Sequence, residues 1–434
     1  MKYWRGYLVA AILAAISFGL IAFAKAHESL VDMIYPYMTR VFVTTLADWS
    51  GAVSYCIWTV LLAILAVAVV VSLIVVLLMR WNVIQWLGWV LAAVCTLGAL
   101  QTGLYGLNYY SGPLAEDIHL QVGPYSTSEL NEAMLYFRDE ALALSGKVSR
   151  NNSGKLDFGE FETLAEDAAD GFHALTYDEA LPVFAGSTVP VKKLSFASSI
   201  DSITVPLTGE SAVKSTLDDL GLPYTICMEM AKRMCIAHEE DAQFAAFLAC
   251  KFNESENFQY SAYCMAYYFC RSALEATGTE AANTYASQAD AGLNEQMRKD
   301  LEHCRSAFGK FTEAGEEETD VADLLACWYI QEFIDEQSRE EAKPFNPLDP
   351  TQVDLTYKEP EYTPLPKKDK DKDKDKDKDP TAETTKPAET TVPPETTAPA
   401  TTVPPTTAPL TTAPVETETG EDTTSPDGDT TPEG

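Results

Sequence analysis

Three stretches within the first 110 residues hold almost no polar position. Tyr7–Ala24 is an uncharged apolar run of 18 residues. At about 1.5 Å of rise per residue, such a helix crosses a hydrocarbon core if its ends adapt. Trp49–Met79 runs 31 residues without a charge, and its centre, Ile57–Leu78, is almost wholly aliphatic. Trp81–Leu114 is again uncharged, with Val83–Leu107 as its predicted span. Trp49, Trp58, Trp81, Trp86 and Trp89 fall near the ends or outer turns of these runs, where interfacial aromatics belong. A soluble helix keeps a polar face, so runs of this kind predict three membrane helices within residues 1–110 rather than a buried core.

Lys2 and Arg5 precede the first span, and Arg80 separates the second from the third. Basic short loops stay in the cytoplasm, so the 24–48 segment reads as an outer loop and everything after Tyr109 lies outside the cell. Ala24-Lys25-Ala26 also resembles a signal-peptidase site behind a short apolar region. Cleavage there removes the first span and leaves the later topology unchanged.

Beyond residue 110 the pattern changes to amphipathic periodicity, and residues 111–345 read as a mainly α (α+β) domain. Ser126–Ser145 has acidic residues behind Ser128 and a helical apolar set of Leu130, Met134, Phe137, Ala141 and Leu144. Leu156–Leu175, Tyr177–Leu181, Tyr224–Cys235 after Pro223, Glu239–Lys251 and Asn257–Ala276 also predict helices. Glu280–Ala307 and Asp320–Glu341 predict two long amphipathic ones. In Lys193–Leu207 the apolar positions Leu194, Phe196, Ile200, Ile203 and Val205 alternate with Ser and Thr, which predicts one or two short strands.

Residues 346–366, rich in Pro and Tyr, form a linker. From 367 onward the chain has no apolar face to bury. Lys-Asp alternates six times from Lys368 to Asp379, and Thr, Pro, Glu and Ala follow to Gly434. This composition predicts a disordered tail stiffened by proline.

Charge divides along the same boundaries. The net charge is −33, but residues 1–110 hold five basic against three acidic residues, 111–366 hold 18 against 45, and the tail holds eight against 16. An outer domain this acidic excludes nucleic-acid binding through phosphate contacts. It leaves the membrane and cell-wall or envelope proteins as partners.

Of nine cysteines, seven lie in the outer domain, an odd number that cannot all pair. Cys227, Cys250, Cys264, Cys270 and Cys327 sit in apolar helical runs, as buried thiols do. Asn151–Glu160 has Gly154, Asp157 and Glu160 at calcium-loop spacing, with Asn151 and Ser153 ahead of them. Ser149 replaces the first Asp, however, and an Asn-Gly turn accounts for the segment.

The chemistry concentrates in Leu222–Phe244. A strand region, a turn, a helix and a second helix opening on Glu is the order of a zincin. There His-Glu-x-x-His sets two zinc ligands on one helix face, its Glu serves as general base, and a Glu from the next helix completes the site. Here Met228 and Lys232 occupy the two His positions and Glu229 stands at the base position. Glu239, or alternatively Asp241, stands at the third ligand position. Lys232 carries a positive charge and Met228 is a soft thioether, so neither suits zinc. Lys232 lies three residues from Glu229 on one helix face, and its ammonium is predicted to stand between Glu229 and Glu239 as a structural cation. Cys227, Cys235 and His238 are the other residues at which a thiolate-imidazole metal site is conceivable.

In joint order these segments resemble the bacterial membrane-anchored domain-of-unknown-function family 3810. Asn108-Tyr109-Tyr110 and Pro113-Leu114-Ala115 match its start, and Pro206-Leu207-Thr208-Gly209-Glu210-Ser211 matches its Pro-Phe-Thr-Gly-Glu-Ala segment with two changes. Glu239–Leu248 matches its acidic helix, and Tyr260-Ser261-Ala262-Tyr263 matches its Tyr-Ser-Gly-Tyr segment. The resemblance spans residues 1–340 and implies a zinc-peptidase-like fold. It departs at both His positions and at the Gly between the two helices, here Cys235.

The expected protein is therefore a multi-pass protein of the bacterial cytoplasmic membrane, with its zincin-like domain and tail outside. That domain is non-catalytic, holds no cofactor and acts in binding or regulation at the envelope. The alternative is an active metallohydrolase with a non-standard zinc site. A transporter is disfavoured because the spans carry no internal charge.

Overall fold

The computed structural model describes residues 4–194, 200–308 and 317–334, all within one compact unit, Met1–Pro360. The linker and tail readings for 346–434, and Phe196, lie outside the described residues.

Among the described residues three helices are long and apolar enough to cross a membrane: α1 (Arg5–Ala26), α3 (Ile57–Leu78) and α4 (Val83–Leu104), with α2 (Glu28–Gly51) lying between the first two in the chain. α1 lies against α4 at a very close approach. A Cβ added at Gly6 would come 2.5 Å from the carbonyl carbon of Gly88, so only glycine lets the two backbones meet. Asn82 caps α4, its side chain accepting from the Ile84 and Gln85 N–H groups. Most of the 24–48 segment is the 24-residue helix α2, which contains Pro36. It buries Val31, Thr39, Val43, Ala47 and Ser50, a helical spacing masked in the sequence by interspersed charges.

After a single-turn helix at Gly106–Tyr110 and α5 (Leu114–Asp117), the domain that follows begins with α6 (Thr127–Leu144) and α7 (Phe161–His173). α6 buries the predicted Leu130, Met134, Phe137, Ala141 and Leu144. Its cap is Ser126 rather than Ser128. The Ser126 hydroxyl accepts from Glu129 N–H and the Glu129 carboxylate accepts from Ser126 N–H, the reciprocal capping box. α7 starts later than Leu156, because Arg150 and Leu156 pair across a turn that Asn151 closes with its own side chain. Tyr177–Leu181 is a widened helical turn and bend leading to a short turn at Pro182–Phe184.

The sheet is small: β1 (Lys192–Lys193), β2 (Ser202–Val205) and β3 (Glu210–Val213), in the order β1-β3-β2. β1 runs parallel to β3 and β2 antiparallel to it, with Thr204 opposite Ser211 and Val205 opposite Glu210. The Pro206–Gly209 turn makes a hairpin of β2 and β3, and β3 was not foreseen. Its four residues are all buried, which removes the alternation that marks a half-exposed strand.

α8 (Leu222–Arg233), α9 (Glu239–Lys251), α10 (Glu256–Ala276), α11 (Glu280–Ala291), α12 (Glu295–Phe308) and α13 (Glu317–Phe333) complete the domain. Glu280–Ala307 is thus two helices. Asn294 starts the second, its side chain accepting from Met297 N–H. The core lies where α6, α9, α10 and α13 meet, around Phe137, Phe247, Tyr263 and Trp328, whose rings pack edge to face or stacked.

Candidate functional site

α8 begins after Gly221 with Pro223 in its first turn, where the missing N–H costs nothing. Of its 12 residues, only Met228 and Lys232 are not buried. They sit four apart, on one face. The helix thus presents the two predicted site positions and seals the rest.

The β2–β3 hairpin supports α8 from beside Glu229. Ser202 and Thr204 point to the same side of β2, being two residues apart. Ser202 Oγ donates to Glu229 Oε1 at 2.7 Å, and Thr204 Oγ1 donates to Oε2 at 2.6 Å. Ser211 Oγ donates to the Glu229 carbonyl at 2.8 Å. Glu229 is 1% exposed.

Lys232 Nζ donates to Glu229 Oε1 at 3.2 Å and to Glu239 Oε1 at 3.1 Å, with Glu239 Oε2 at 2.7 Å. Burial works against the ammonium, but the Glu229 and Glu239 carboxylates outweigh it and hold the Lys232 pKa above its ordinary value.

The chain reaches Glu239 through a turn in which Cys235 takes φ of +72°, the left-handed region that favours glycine. Cys235 N–H donates to the Lys232 carbonyl and Ile236 N–H to that of Ala231, closing the end of α8. The Tyr105 hydroxyl also donates to the Lys232 carbonyl, at 2.8 Å. His238 leads into α9, with the ring of Tyr109 edge-on to it. The first turn of α9 then carries Glu239, Glu240 and Asp241 at its positive end.

Asp241 does not join Lys232. It is buried, and its carboxylate accepts from Leu114 N–H at 3.1 Å. Burial pushes its pKa up to about 6, with the Leu114 N–H and His238 acting in the opposite direction. It faces a cavity of about 220 Å³ between the turn and α2, shared with Asp32, Tyr37, Arg40, Cys235 and His238.

The donor set does not fit zinc. Each carboxylate that would face the metal already meets the Lys232 ammonium, and Glu229 receives two hydroxyl protons besides. Among the described residues no three His, Cys, Asp or Glu side chains group as a metal site. Nor do Cys227, Cys235 and His238 converge. Cys227 lies against Cys250, Cys235 packs with Val43, Tyr105 and Ala237, and His238 Nδ1 lies 3.8 Å from Glu240. Burial raises the Cys235 thiol to about 12, far from a reactive thiolate. In the calcium-like loop, Asn151 Oδ1 accepts from Ser153 N–H, Ser153 Oγ and Lys155 N–H, so it builds a turn.

One polar constellation escaped the sequence reading. Lys192 Nζ donates to Glu210 Oε1 at 2.6 Å, to the Ser50 carbonyl at 2.8 Å and to the Tyr55 carbonyl at 3.2 Å. The same Glu210 carboxylate accepts from Ile57 N–H at 2.7 Å and Trp58 N–H at 2.9 Å, which caps the N-terminus of α3. Gly209 beside it has φ of +66°, and a Cβ there would come 2.3 Å from the Ala47 nitrogen of α2. The Thr-Gly-Glu segment therefore fastens the domain to α2 and the start of α3. The legible signal was Glu210 itself, a charge inside an otherwise apolar and small-residue stretch.

No curated protein and no solved structure matches the chain. A family model does, over residues 31–323, from α2 to α13, and it describes a protein of unknown function. With more than half its length matched, the chain belongs to that family, DUF3810.

Proposed function

We propose that this is a membrane-anchored envelope protein whose outer domain is a zincin-like pseudopeptidase, with the Lys232 ammonium in the place of the metal. The observation that carries this reading is the position of Nζ between Glu229 and Glu239, on the helix face where Met228 and Lys232 replace histidines. A general base needs a free lone pair turned toward water. Glu229 has its oxygens engaged by Ser202, Thr204 and Lys232. The domain then acts by binding a cationic or neutral peptide or envelope protein, in keeping with its acidic charge.

The test is zinc content of the full chain purified in detergent. The native protein is expected to hold no stoichiometric zinc. Met228→His with Lys232→His is expected to gain about one zinc per chain, with Glu239 as third ligand. About one zinc in the native chain, or peptide hydrolysis abolished by Glu229→Gln, would establish the metallohydrolase reading instead.

A further inference from the structure

We infer that α2 is bedded in the outer leaflet of the bilayer, with the lipid surface as the partner of its exposed face. The inference rests on reading α1, α3 and α4 as spans.

The first observation is the face itself. Leu30, Met33, Ile34, Tyr37, Met38, Val41 and Phe42 recur at helical spacing and are all exposed, Met38 at 68% and Val41 at 70%. A helix face turned to water carries charge, and this one carries none from Leu30 to Phe42. The two charges in that stretch, Asp32 and Arg40, are both held by the domain. Asp32 Oδ1 accepts from Gly112 N–H at 2.8 Å, and Arg40 donates to the Met234 carbonyl at 3.1 Å and the Pro182 carbonyl at 3.3 Å. The polarity of α2 is thus inverted relative to a solvated helix, as expected of one lying at an apolar surface.

The second observation is where its ends are. Only His27 separates α2 from α1, and only Ala52–Cys56 separates it from α3. α1 and α4 run side by side in the same direction, Gly6 against Gly88 and Leu20 against Gly103, and α3 turns into α4 within four residues. If these helices cross the bilayer, the end of α1 and the start of α3 lie on the same side. α2 then joins two points of one membrane surface. At 24 residues it is about 36 Å long, so it has to run along that surface. Tyr35 fastens it to the end of α4, donating to the Gly103 carbonyl at 3.0 Å. Glu210 and Lys192 fasten its other end to the start of α3. The exposed Trp49 and Tyr55 there are residues of the headgroup region.

This places the cavity beside Asp241 at the membrane surface. Its α2 wall runs from Asp32, Pro36 and Arg40 to Met33 and Tyr37, at the edge of the exposed face. A ligand of the domain would meet the cavity in the headgroup layer.

The test is nitroxide accessibility in the full chain, reconstituted in phosphatidylcholine–phosphatidylglycerol nanodiscs. Single variants Met38→Cys, Val41→Cys, Val67→Cys and Tyr177→Cys are labelled, and the labelled native chain serves as blank. All four positions are exposed, so the substitutions remove no packing. Collisions with oxygen are expected to exceed those with a water-soluble nickel chelate severalfold at Met38 and Val41, at a shallower depth than Val67 in α3. The ratio should reverse at Tyr177. Met38 and Val41 in water while Val67 is in lipid would overturn the inference and leave the spans standing. Shielding of both from both reagents would mean a protein partner, and would also overturn it. If Val67 itself is in water, the span reading fails and this inference with it. Photolabelling of the unmodified chain by a diazirine phospholipid should mark residues of the 30–42 face.

Discussion

Lys192 and Lys232 each pair with a buried carboxylate, and they differ in what lies beyond them. Lys192 is closed in. Its ammonium meets Glu210 and two carbonyls, Glu210 meets two helix N–H groups, and the two side chains are 7% and 0% exposed. Lys232 is enclosed on one side only. Glu229 behind it is sealed by hydroxyls, but Glu239 in front keeps 37% of its side chain in solvent. A buried ion pair justifies its desolvation when every remaining donor and acceptor is met. The first lysine is therefore a fastener between the N-terminal apolar helices and the domain. The second keeps an open face, as the floor of a site does.

The strongest way to break this contrast is to remove one charge from the closed pair. Lys192→Met leaves Glu210 buried with only the α3 N–H groups, and should destabilise the domain by about 3–5 kcal/mol. Adding Glu210→Gln should recover part of that loss. Thermal unfolding in detergent would show it, and a midpoint equal to the native one would deny the fastening role.

Asp241 sharpens the comparison as a buried carboxylate held by an N–H group rather than by an ammonium. Its folded pKa of about 6 lies above the ordinary value near 4. Between those values the folded state keeps a proton that the unfolded state has released. Stability should therefore fall by about 2–3 kcal/mol as pH rises through that window, and stay level above it. In Asp241→Asn, which keeps an oxygen for Leu114 N–H, unfolding midpoints followed from pH ~4 to ~7 should lose this slope. An unchanged slope would place its origin elsewhere.

Lys232→Met is expected to cost less than Lys192→Met, about 1–2 kcal/mol, because water can reach Glu239 once the ammonium is gone. A loss as large as at Lys192 would make both lysines fasteners and would weaken the reading of an open site. The smallest effect belongs to Cys235→Gly. Glycine relieves about 1 kcal/mol of left-handed backbone but gives up the thiol's packing on Val43 and Tyr105. The net change should stay within about 0.5 kcal/mol of zero by chemical denaturation.

Much of this architecture follows from local pattern. The three long apolar helices were legible because an uncharged run is a property of contiguous residues. The core face of α6 was legible because helical period alone selects Leu130 to Leu144. Where patterns were mixed, the reading failed. α2 intersperses charges with apolar residues, so it read as a loop until its charged side chains were seen to turn toward the domain. β3 is buried throughout and lost its alternation. Glu280–Ala307 stayed periodic across a break that one Asn cap creates.

At the site the division is sharper. Three residues on a helix bring Lys232 to Glu229 whatever the rest of the chain does, so that pair was written in the sequence, as were the apolar runs and the concentration of acid after residue 110. Choosing Glu239 over Asp241 as the second carboxylate depended on the direction in which α9 leaves the left-handed turn at Cys235. Joining Lys192 to Glu210 and the start of α3 depended on a hairpin that brings residues 153 positions apart into contact. Backbone period fixes which side chains share a face over a few residues. Only packing decides which faces meet, because it is set by the whole buried surface at once.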